Sequence, residues 1–354
     1  MFYRENGQFK SSYAADQQLL PILQDRIFMF ALVAFAFVVV PMVVSDYLFL
    51  SLLIPFLILA LAAIGLNLVV GYCGQISIGH AAFMAVGAYA AYNLVLRIPQ
   101  LNFLVVLVLA GLIAAAVGML FGIPSLRIKG LYLAVATLGA QFFMDWLFAR
   151  VKWFTNYAHS GSVQTAPVEL FGWTIDTPQE KYVFLLAVLI LFTVIARNLV
   201  RGHIGRARMA MRDMDVAAEV IGIRPVYAKL SAFAVSSFYV GVAGVLWGFV
   251  HLGSWEPAAF NLTLSLNLLF MIIIGGMGSI LGSFFGAAFI VVLPIALNQL
   301  PTVLGIPMST AMVSHLEFMI FGALIVFFLI VEPHGLARLW AIGKEKLRLW
   351  PFPH

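Results

Sequence analysis

Charge is scarce in this sequence. Asp, Glu, Lys and Arg make up 10% of the 354 residues, whereas a soluble domain carries roughly 25% charged residues to cover its core. Hydrophobic residues make up 63%, and the mean hydropathy is +1.03. No charged residue occurs from Tyr47 to Leu96 or from Pro257 to Leu316, and each run is long enough for two helices of roughly 20 residues to cross a bilayer. The composition excludes a soluble globular domain and predicts a chain embedded in membrane lipid.

Motifs for chemistry are also missing. Cys73 is the sole cysteine, which excludes an internal disulfide and a cysteine-cluster metal site, and the seven histidines lack metal-ligand spacing. No phosphate-binding loop occurs, because Gly343 and Lys344 are followed by Glu345 rather than by Ser or Thr. No nucleophile elbow or paired acid site appears. We therefore predict that the chain is not an enzyme, binds no metal or cofactor, and does not itself hydrolyse ATP.

Long apolar runs take the place of these motifs. They predict an all-α, polytopic membrane bundle of about eight to ten transmembrane helices. Residues 1–27 form a polar N-terminal segment, residues 28–332 the membrane domain, and residues 333–354 a basic tail. Polar loops at about 150–181 and about 197–229 divide the membrane domain. The ten predicted spans are Phe28–Val44, Tyr47–Val70, His80–Leu96, Leu101–Ile123, Leu131–Ala149, Tyr182–Ala196, Leu230–Leu252, Leu262–Ile274, Leu281–Leu300 and Met312–Val331.

The basic residues predict the orientation of these spans. With the N-terminus in the cytoplasm, ten spans bring the C-terminus back to the same side. Of the 20 Lys and Arg residues, Arg97, Arg150, Lys152 and Lys181 then lie outside, and the remaining sixteen lie inside. This asymmetry follows the positive-inside rule and predicts two cytoplasmic termini. Because topology accounts for the basic loops, the net charge of +5 does not predict a nucleic-acid partner.

The most highly charged stretch, Arg201–Ile223, is named the charged segment here. Arginines precede acidic residues in it, its alanines favour a short helix, and Gly222 is suited to end that helix. On charge alone, an ordinary positive-inside loop explains it. Its mixed charges around Met211, Met214 and Val216 also suit a helix that docks on a cytoplasmic protein. The candidate docking residues are Arg206, Arg208, Arg212, Asp213, Asp215, Ala217, Ala218, Glu219 and Gly222.

Two glycine-rich breaks divide otherwise apolar sequence. The first interruption is Gly71–His80 and the second is Gly275–Ser283, and each follows a similar lead-in, Leu66–Val70 or Leu266–Phe270. Corresponding breaks predict an internal repeat with a substrate path at the broken helices. Tight turns at the membrane edge are the alternative, and polar residues here can equally bond neighbouring helices. The candidate pathway residues are Asn67, Gly71, Gln75, Ser77, Gly79, His80, Gly275, Gly276 and Gly278.

Five stretches, in order, carry a resemblance to a known family. The chain resembles the LivM-type permeases of branched-chain amino acid ABC transporters from about Pro41 onward. The resembling stretches are GLNLVVGYCGQISIGHAAFMAVGAYAAY (Gly65–Tyr92), LRIKGLYLAVATLG (Leu126–Gly139), GRARMAMRDMDVAAEVIGI (Gly205–Ile223), IIIGGMGSILGSFFGAAF (Ile272–Phe289) and VEPHGLARLW (Val331–Trp340).

The resemblance implies a complete ABC importer in a bacterial inner membrane. This chain would pair with a second permease, such as a LivH-type paralogue, to form one pathway. Two cytoplasmic ATPases would bind ATP and Mg²⁺, and a periplasmic solute-binding protein would deliver the solute. The charged segment corresponds to the family's coupling helix, and its A-A-E-x-x-G core begins at Ala217. The expected solutes are branched-chain or other hydrophobic amino acids.

Other functions remain open from the sequence. The same architecture carries urea, short amides and aromatic acids. A secondary transporter or channel would be expected to place an ionisable residue in the middle of a span, and such residues are missing here. A membrane enzyme would need a polar catalytic cluster, which is also missing. Neither class explains the match of the charged segment.

Overall fold

A computed structural model describes residues 11–12, 23–128, 130–158, 161–170, 172–304, 310–331 and 335–349. Within these residues the chain is a bundle of α-helices with two small strand pairs. Eight of the described helices are long and apolar enough to cross a membrane. This result confirms the prediction of an all-α, polytopic bundle.

Among the described residues, the helices follow one another with short connections except between α5 and α6, where three of the four strands lie; the fourth lies between α9 and α10. The helices are α1 (Leu23–Ala34, continued by Phe35–Val39 and Val40–Val43), α2 (Asp46–Leu48, continued by Phe49–Leu53 and Ile54–Val70), α3 (His80–Arg97), α4 (Phe103–Gly122, continued by Ile123–Leu126), α5 (Leu131–Arg150), α6 (Pro178–Arg201), α7 (His203–Asp213), α8 (Asp215–Val220), α9 (Pro225–Leu246, continued by Trp247–Leu252), α10 (Leu262–Gly275, preceded by the 3-10 turn Pro257–Phe260), α11 (Ile280–Leu304), α12 (Thr310–Val331) and α13 (Gly335–Leu349). The strands are β1 (Val163–Gln164), β2 (Val168–Leu170), β3 (Trp173–Ile175) and β4 (Ser254–Trp255).

Each predicted span coincides with a helix, but the helix ends differ. The span predicted from Tyr182 to Ala196 is the 24-residue helix α6, which begins at Pro178. Thr177 and Glu180 form a capping box there, so polar residues extend the helix beyond its apolar centre. Helix α3 is not among the eight apolar spans. It carries buried polar residues and is surrounded by other helices, so it does not need a lipid-facing apolar surface.

Helix α9 lies at the centre of the bundle and packs against α2, α3 and α4. Small residues make these contacts close. A Cβ atom on Gly244 would overlap the backbone of Met84 in α3, and one on Gly87 would overlap the backbone of Gly241. Helix association in lipid depends on such close van der Waals packing, because burying apolar surface gives no advantage there.

The bundle has two distinguishable faces. The face that carries the charged segment is called the basic face. Helix α2 ends on it at Gly71, whose carbonyl accepts a hydrogen bond from Arg212. Helices α1 and α2 each cross the bundle once, so α1 begins on the face where α2 ends. Asp25, near the start of α1, pairs with Lys344 of α13 at 3.1 Å. The start of α1 and the helix α13 therefore lie on the basic face.

The opposite face, called the strand face, carries all four described strands. β1 pairs with β4 in antiparallel fashion, and β2 pairs with β3. The β1–β4 pair fastens the loop after α5 to the turn after α9. Gln179 donates to Asp46 at 2.7 Å, so the turn between α1 and α2 lies here as well. This face therefore holds the predicted external loop of about 150–181.

The packing of α9 predicts unequal effects of one substitution at two helical glycines. We expect Gly244→Ala to lower the free energy of unfolding by about 1–3 kcal/mol, because the new methyl group meets backbone that cannot rotate away. Gly139→Ala in α5 is the matched control, because no atom lies within 4 Å of its ideal Cβ position. Thermal unfolding of both variants in detergent measures the difference, and equal midpoints would contradict the packing argument.

Candidate functional site

The two interruptions meet inside the bundle. Asn67, in the last turn of α2, donates to the Ser279 carbonyl at 2.8 Å and to Ser283 Oγ at 2.9 Å. Its Oδ1 accepts from the Gly278 backbone N–H at 2.8 Å. One buried amide, four residues before the first interruption, thereby satisfies three polar groups of the second. This contact joins positions 211 residues apart in the sequence.

Glycine is required where the interruptions touch. A Cβ atom on Gly71 would overlap the Asn67 side chain and the Gly278 nitrogen. Gly276 and Gly278 adopt φ values of +123° and +77°, which L side chains rarely adopt. A Cβ atom on Gly275 would overlap the Gly282 carbonyl. The predicted pathway glycines of the second interruption therefore permit close backbone packing.

The predicted pathway residues Ser77 and His80 lie at the start of α3 and are buried. Ser77 Oγ and His80 Nδ1 are 2.8 Å apart, and His80 Nε2 is 2.8 Å from Ser236 Oγ of α9. Ser236 in turn donates to the Gly65 carbonyl at 2.7 Å. A Cβ atom on Gly79 would overlap the backbone of Thr137 in α5. In this conformation these residues bond neighbouring helices, the alternative left open by the sequence.

Three side chains from other helices cap the first turn of α3. Thr137 of α5 accepts from the Ile78 N–H at 3.0 Å. Ser265 of α10 accepts from the Ala81 N–H at 2.8 Å, and Gln141 of α5 accepts from the Ala82 N–H at 2.8 Å. These capping residues were not among the predicted site residues. Their signal in the sequence is a polar residue within an apolar span.

A cavity of about 570 Å³ lies between the first interruption and the charged segment. Gln75 lines it and is 5% exposed, with its Nε2 atom 3.7 Å from Cys73 Sγ. Burial raises the pKa of the Cys73 thiol to about 11, so the thiol is neutral at pH 7 despite the positive charges of Arg208 and Lys229. Other lining residues include Ser125, Met211, Arg212 and Lys229.

The charged segment forms two short helices rather than the single predicted one. Met214, with φ −153° and ψ 94°, is extended and separates α7 from α8. Gly222 ends the second helix at φ +91°, and Ile223 N–H bonds back to the Ala218 carbonyl at 3.0 Å. The predicted role of Gly222 as the end of the helix is confirmed.

The predicted docking residues divide into outward and inward groups. Arg208 is 2% exposed, and its Nη2 donates to Ser231 at 3.1 Å. Burial lowers the pKa of its guanidinium group. Ala218 is also buried, and Asp215 is half-buried. The exposed members of the predicted set are Arg206, Arg212, Asp213, Ala217, Glu219 and Gly222.

Helix α8 and its ends expose an apolar patch, made of Met214, Val216, Val220 and Ile221. Each of these side chains is at least 70% exposed. Met211, which the sequence grouped with Met214 and Val216, is instead buried against Ala218 and Ala228. An apolar patch within a charged surface is typical of a contact with another protein.

With this geometry in view, comparison with known proteins is informative. A family model described as "Branched-chain amino acid transport system / permease component" matches residues 48–330. The chain belongs to this family. The permease is therefore a transport subunit and a multi-pass membrane protein. No solved structure matches it significantly.

Three curated relatives are LivM permease proteins. The permease is 32% identical over 259 residues to the high-affinity branched-chain amino acid transport system permease protein LivM of Salmonella typhimurium. It is 33% identical over 249 residues to the protein of that name from Escherichia coli. These matches cover 67% and 63% of this chain but only 60% and 57% of the relatives. The probable LivM of Methanocaldococcus jannaschii is 21% identical over 316 residues, which are 78% of this chain and 89% of the relative.

The bonds of Asn67 predict a large stability effect. We expect Asn67→Ala to lower the free energy of unfolding by at least about 2 kcal/mol, because the Gly278 N–H and the Ser279 carbonyl lose a buried partner. Asn298→Ala is the control, because Asn298 is exposed and bonds only to the Pro294 carbonyl of its own helix among the described residues. Its effect should stay within about 0.5 kcal/mol. Thermal unfolding in detergent measures both, and a neutral Asn67→Ala variant would show that the interruptions are held by other contacts.

Proposed function

We propose that the permease is a membrane-spanning subunit of an ABC importer that moves branched-chain or other hydrophobic amino acids across a bacterial inner membrane. The family description and the names of the relatives support the class of solute. The proposed assembly contains a second permease of the LivH type, two ATPases that bind ATP and Mg²⁺, and a periplasmic solute-binding protein.

The exposed apolar patch on α8 is the observation that carries this assembly. Four large apolar side chains project from the basic face beside the exposed carboxylate of Glu219. Left in water, such a patch is unfavourable, and a groove on an ATPase would cover it. Exposed charged residues such as Arg206 and Asp213 would form the polar rim of that contact. The charged segment would then receive the motion of the ATPases.

The orientation that this docking requires agrees with the charge distribution. The basic face would lie in the cytoplasm, where the positive-inside rule directs Lys and Arg. The strand face would lie outside, and its loop between α5 and α6 is too short to form a solute-binding domain. Solute capture would therefore belong to a separate protein. Alternating access between the two faces would then be driven by ATP binding and hydrolysis in the partners.

Transport by the reconstituted complex tests the proposal. The permease would be co-expressed with a second permease and the ATPases of the same source and placed in proteoliposomes with the binding protein outside. We expect uptake of labelled leucine only when ATP and Mg²⁺ are present inside. Urea, short amides and aromatic acids serve as competing solutes. Uptake that persists without the ATPases would identify a secondary transporter or channel instead.

The proposed orientation predicts which positions an impermeant thiol reagent reaches. In intact cells or spheroplasts, Ala166→Cys on the strand face should react, whereas Glu345→Cys in α13 should not react until the membrane is permeabilised. Because Cys73 is the sole cysteine and is buried, the natural chain should give little background labelling. The reverse pattern would place the charged segment outside and remove it from contact with ATPases.

The proposed docking contact predicts a charge-dependent loss of the ATPases. We expect Glu219→Lys to weaken their association more than Glu219→Ala, because a like-charge contact adds repulsion to the loss of a partner. A loss of about 2–5 kcal/mol is expected for a desolvated pair. Glu169→Lys is the control, because Glu169 is equally an exposed glutamate but lies on the strand face, away from the proposed contact. The effect is measured as the amount of ATPase that co-purifies and as the stimulated rate of ATP hydrolysis. Equal results for Glu219→Lys and Glu169→Lys would show that α8 is an ordinary solvated surface with no ATPase contact.

A further inference from the structure

The side chain of Arg212 connects the charged segment to the first interruption. Its Nη1 donates to the Gly71 carbonyl at 2.9 Å, and its Nε pairs with Asp213 at 2.9 Å. The Gly71 carbonyl lies just past the end of α2, where backbone acceptors lack helical partners. Arg212 satisfies this acceptor with a charge-assisted hydrogen bond, which is stronger than a neutral one.

The same side chain also lies against the second interruption. A Cβ atom on Gly278 of the second interruption would come within 3.1 Å of Arg212 Nη1, and one on Gly74 of the first interruption would come within 2.9 Å of Arg212 Cγ. Both glycines adopt positive φ, so both strain and space disfavour a larger residue there. Arg212 therefore contacts both interruptions at the point where Asn67 joins them.

The packing around α8 is local, because Met211, Ala218 and Ala228 form a small apolar cluster that is separate from the main core. In α7, by contrast, Met209 packs against the main core and Arg208 bonds to Ser231 of α9. The cavity described above separates much of the charged segment from the first interruption. A segment held by a small cluster and bordered by a cavity can shift more easily than one packed into a continuous core.

Arg212 differs from the apolar patch in what it contacts. Val216 and Val220 are at least 70% exposed, whereas the Arg212 side chain is 38% exposed and bonds to Gly71 of the first interruption. One short segment thus carries both an exposed apolar patch and a bond to the broken helices. Arg212 was grouped with the docking residues on sequence grounds, but its contacts give it a different position.

We propose that Arg212 is a positioning residue that transmits movement of the charged segment to the two glycine interruptions. This inference rests on the proposed function, because it requires that ATPases move the charged segment. When the charged segment shifts, α7 moves with it, and the bond from Arg212 to Gly71 moves the end of α2. Asn67 then carries the displacement to Gly278 and the start of α11. Arg212 contacts neither the ATPase nor the solute in this scheme.

The test compares Arg212→Ala and Arg212→Lys in the full reconstituted complex. We expect both variants to retain the ATPases and the basal rate of ATP hydrolysis. Leucine uptake per ATP hydrolysed should fall by about ten-fold or more, because a bond to a charged group is lost during coupling. Lysine should not rescue uptake, because one ammonium group on a shorter side chain cannot reach Gly71 and pair with Asp213 as the guanidinium group does.

A glycine pair provides a matched test that leaves Arg212 in place. Gly74 and Gly253 both have a φ of +71°, so alanine introduces comparable backbone strain at each. The Gly74 methyl group would meet Arg212, whereas nothing lies within 4 Å of the Gly253 position. We expect Gly74→Ala to lose coupled uptake and Gly253→Ala to stay within about two-fold of the natural chain. This pair decides the question if Arg212→Ala fails to fold.

The possible results separate the two proposals. Normal coupling in Arg212→Ala, or rescue by lysine, would overturn the inference and leave the importer intact. Loss of the ATPases from Arg212→Ala would make Arg212 part of the docking contact and would also overturn the inference. Equal uptake by the Gly74 and Gly253 variants would have the same consequence. Absence of ATP-dependent uptake by the natural chain would remove the importer proposal and the inference with it.

Discussion

The structure depends on the requirement that backbone polar groups within a membrane find partners inside the protein. A continuous helix meets this requirement by itself, but the two interruptions do not. Asn67 serves Gly278 and Ser279, and polar side chains from α5 and α10 cap the start of α3. These partners come from helices that are distant in sequence. The arrangement of α2, α3, α5, α10 and α11 is therefore constrained by a few polar bonds at the two breaks.

Close helix packing accompanies these bonds. The glycines of α9 and α3 bring backbone against backbone, which places Ser236 near enough to bond both His80 and the Gly65 carbonyl. Neither close packing nor polar bonding would hold these helices together alone. Each polar bond in a membrane contributes modestly to stability, and close packing without such bonds leaves buried polar groups unsatisfied. The most buried helices are thus the ones that carry the most polar bonds.

Much of the fold could be predicted from composition, because a long apolar run in a membrane satisfies its backbone polar groups best as a transmembrane helix. The charged segment and the interruptions also stood out through their glycines and charges. The partners of Asn67 could not be predicted, because a bond across 211 residues depends on tertiary packing. For the same reason the inward direction of Arg208 and the roles of Gln141 and Ser265 were missed. The family comparison identifies a permease, while the internal repeat stays a prediction.

Backbone pairing fastens loops of the strand face to one another. β1 and β4 tie the long loop after α5 to the turn after α9, and Gln179 fastens the start of α6 to the turn between α1 and α2. The basic face instead holds a short segment beside a cavity. If the charged segment moved while these contacts held, the helices between the two faces would tilt about the strand face, and the largest displacement would occur at the basic face.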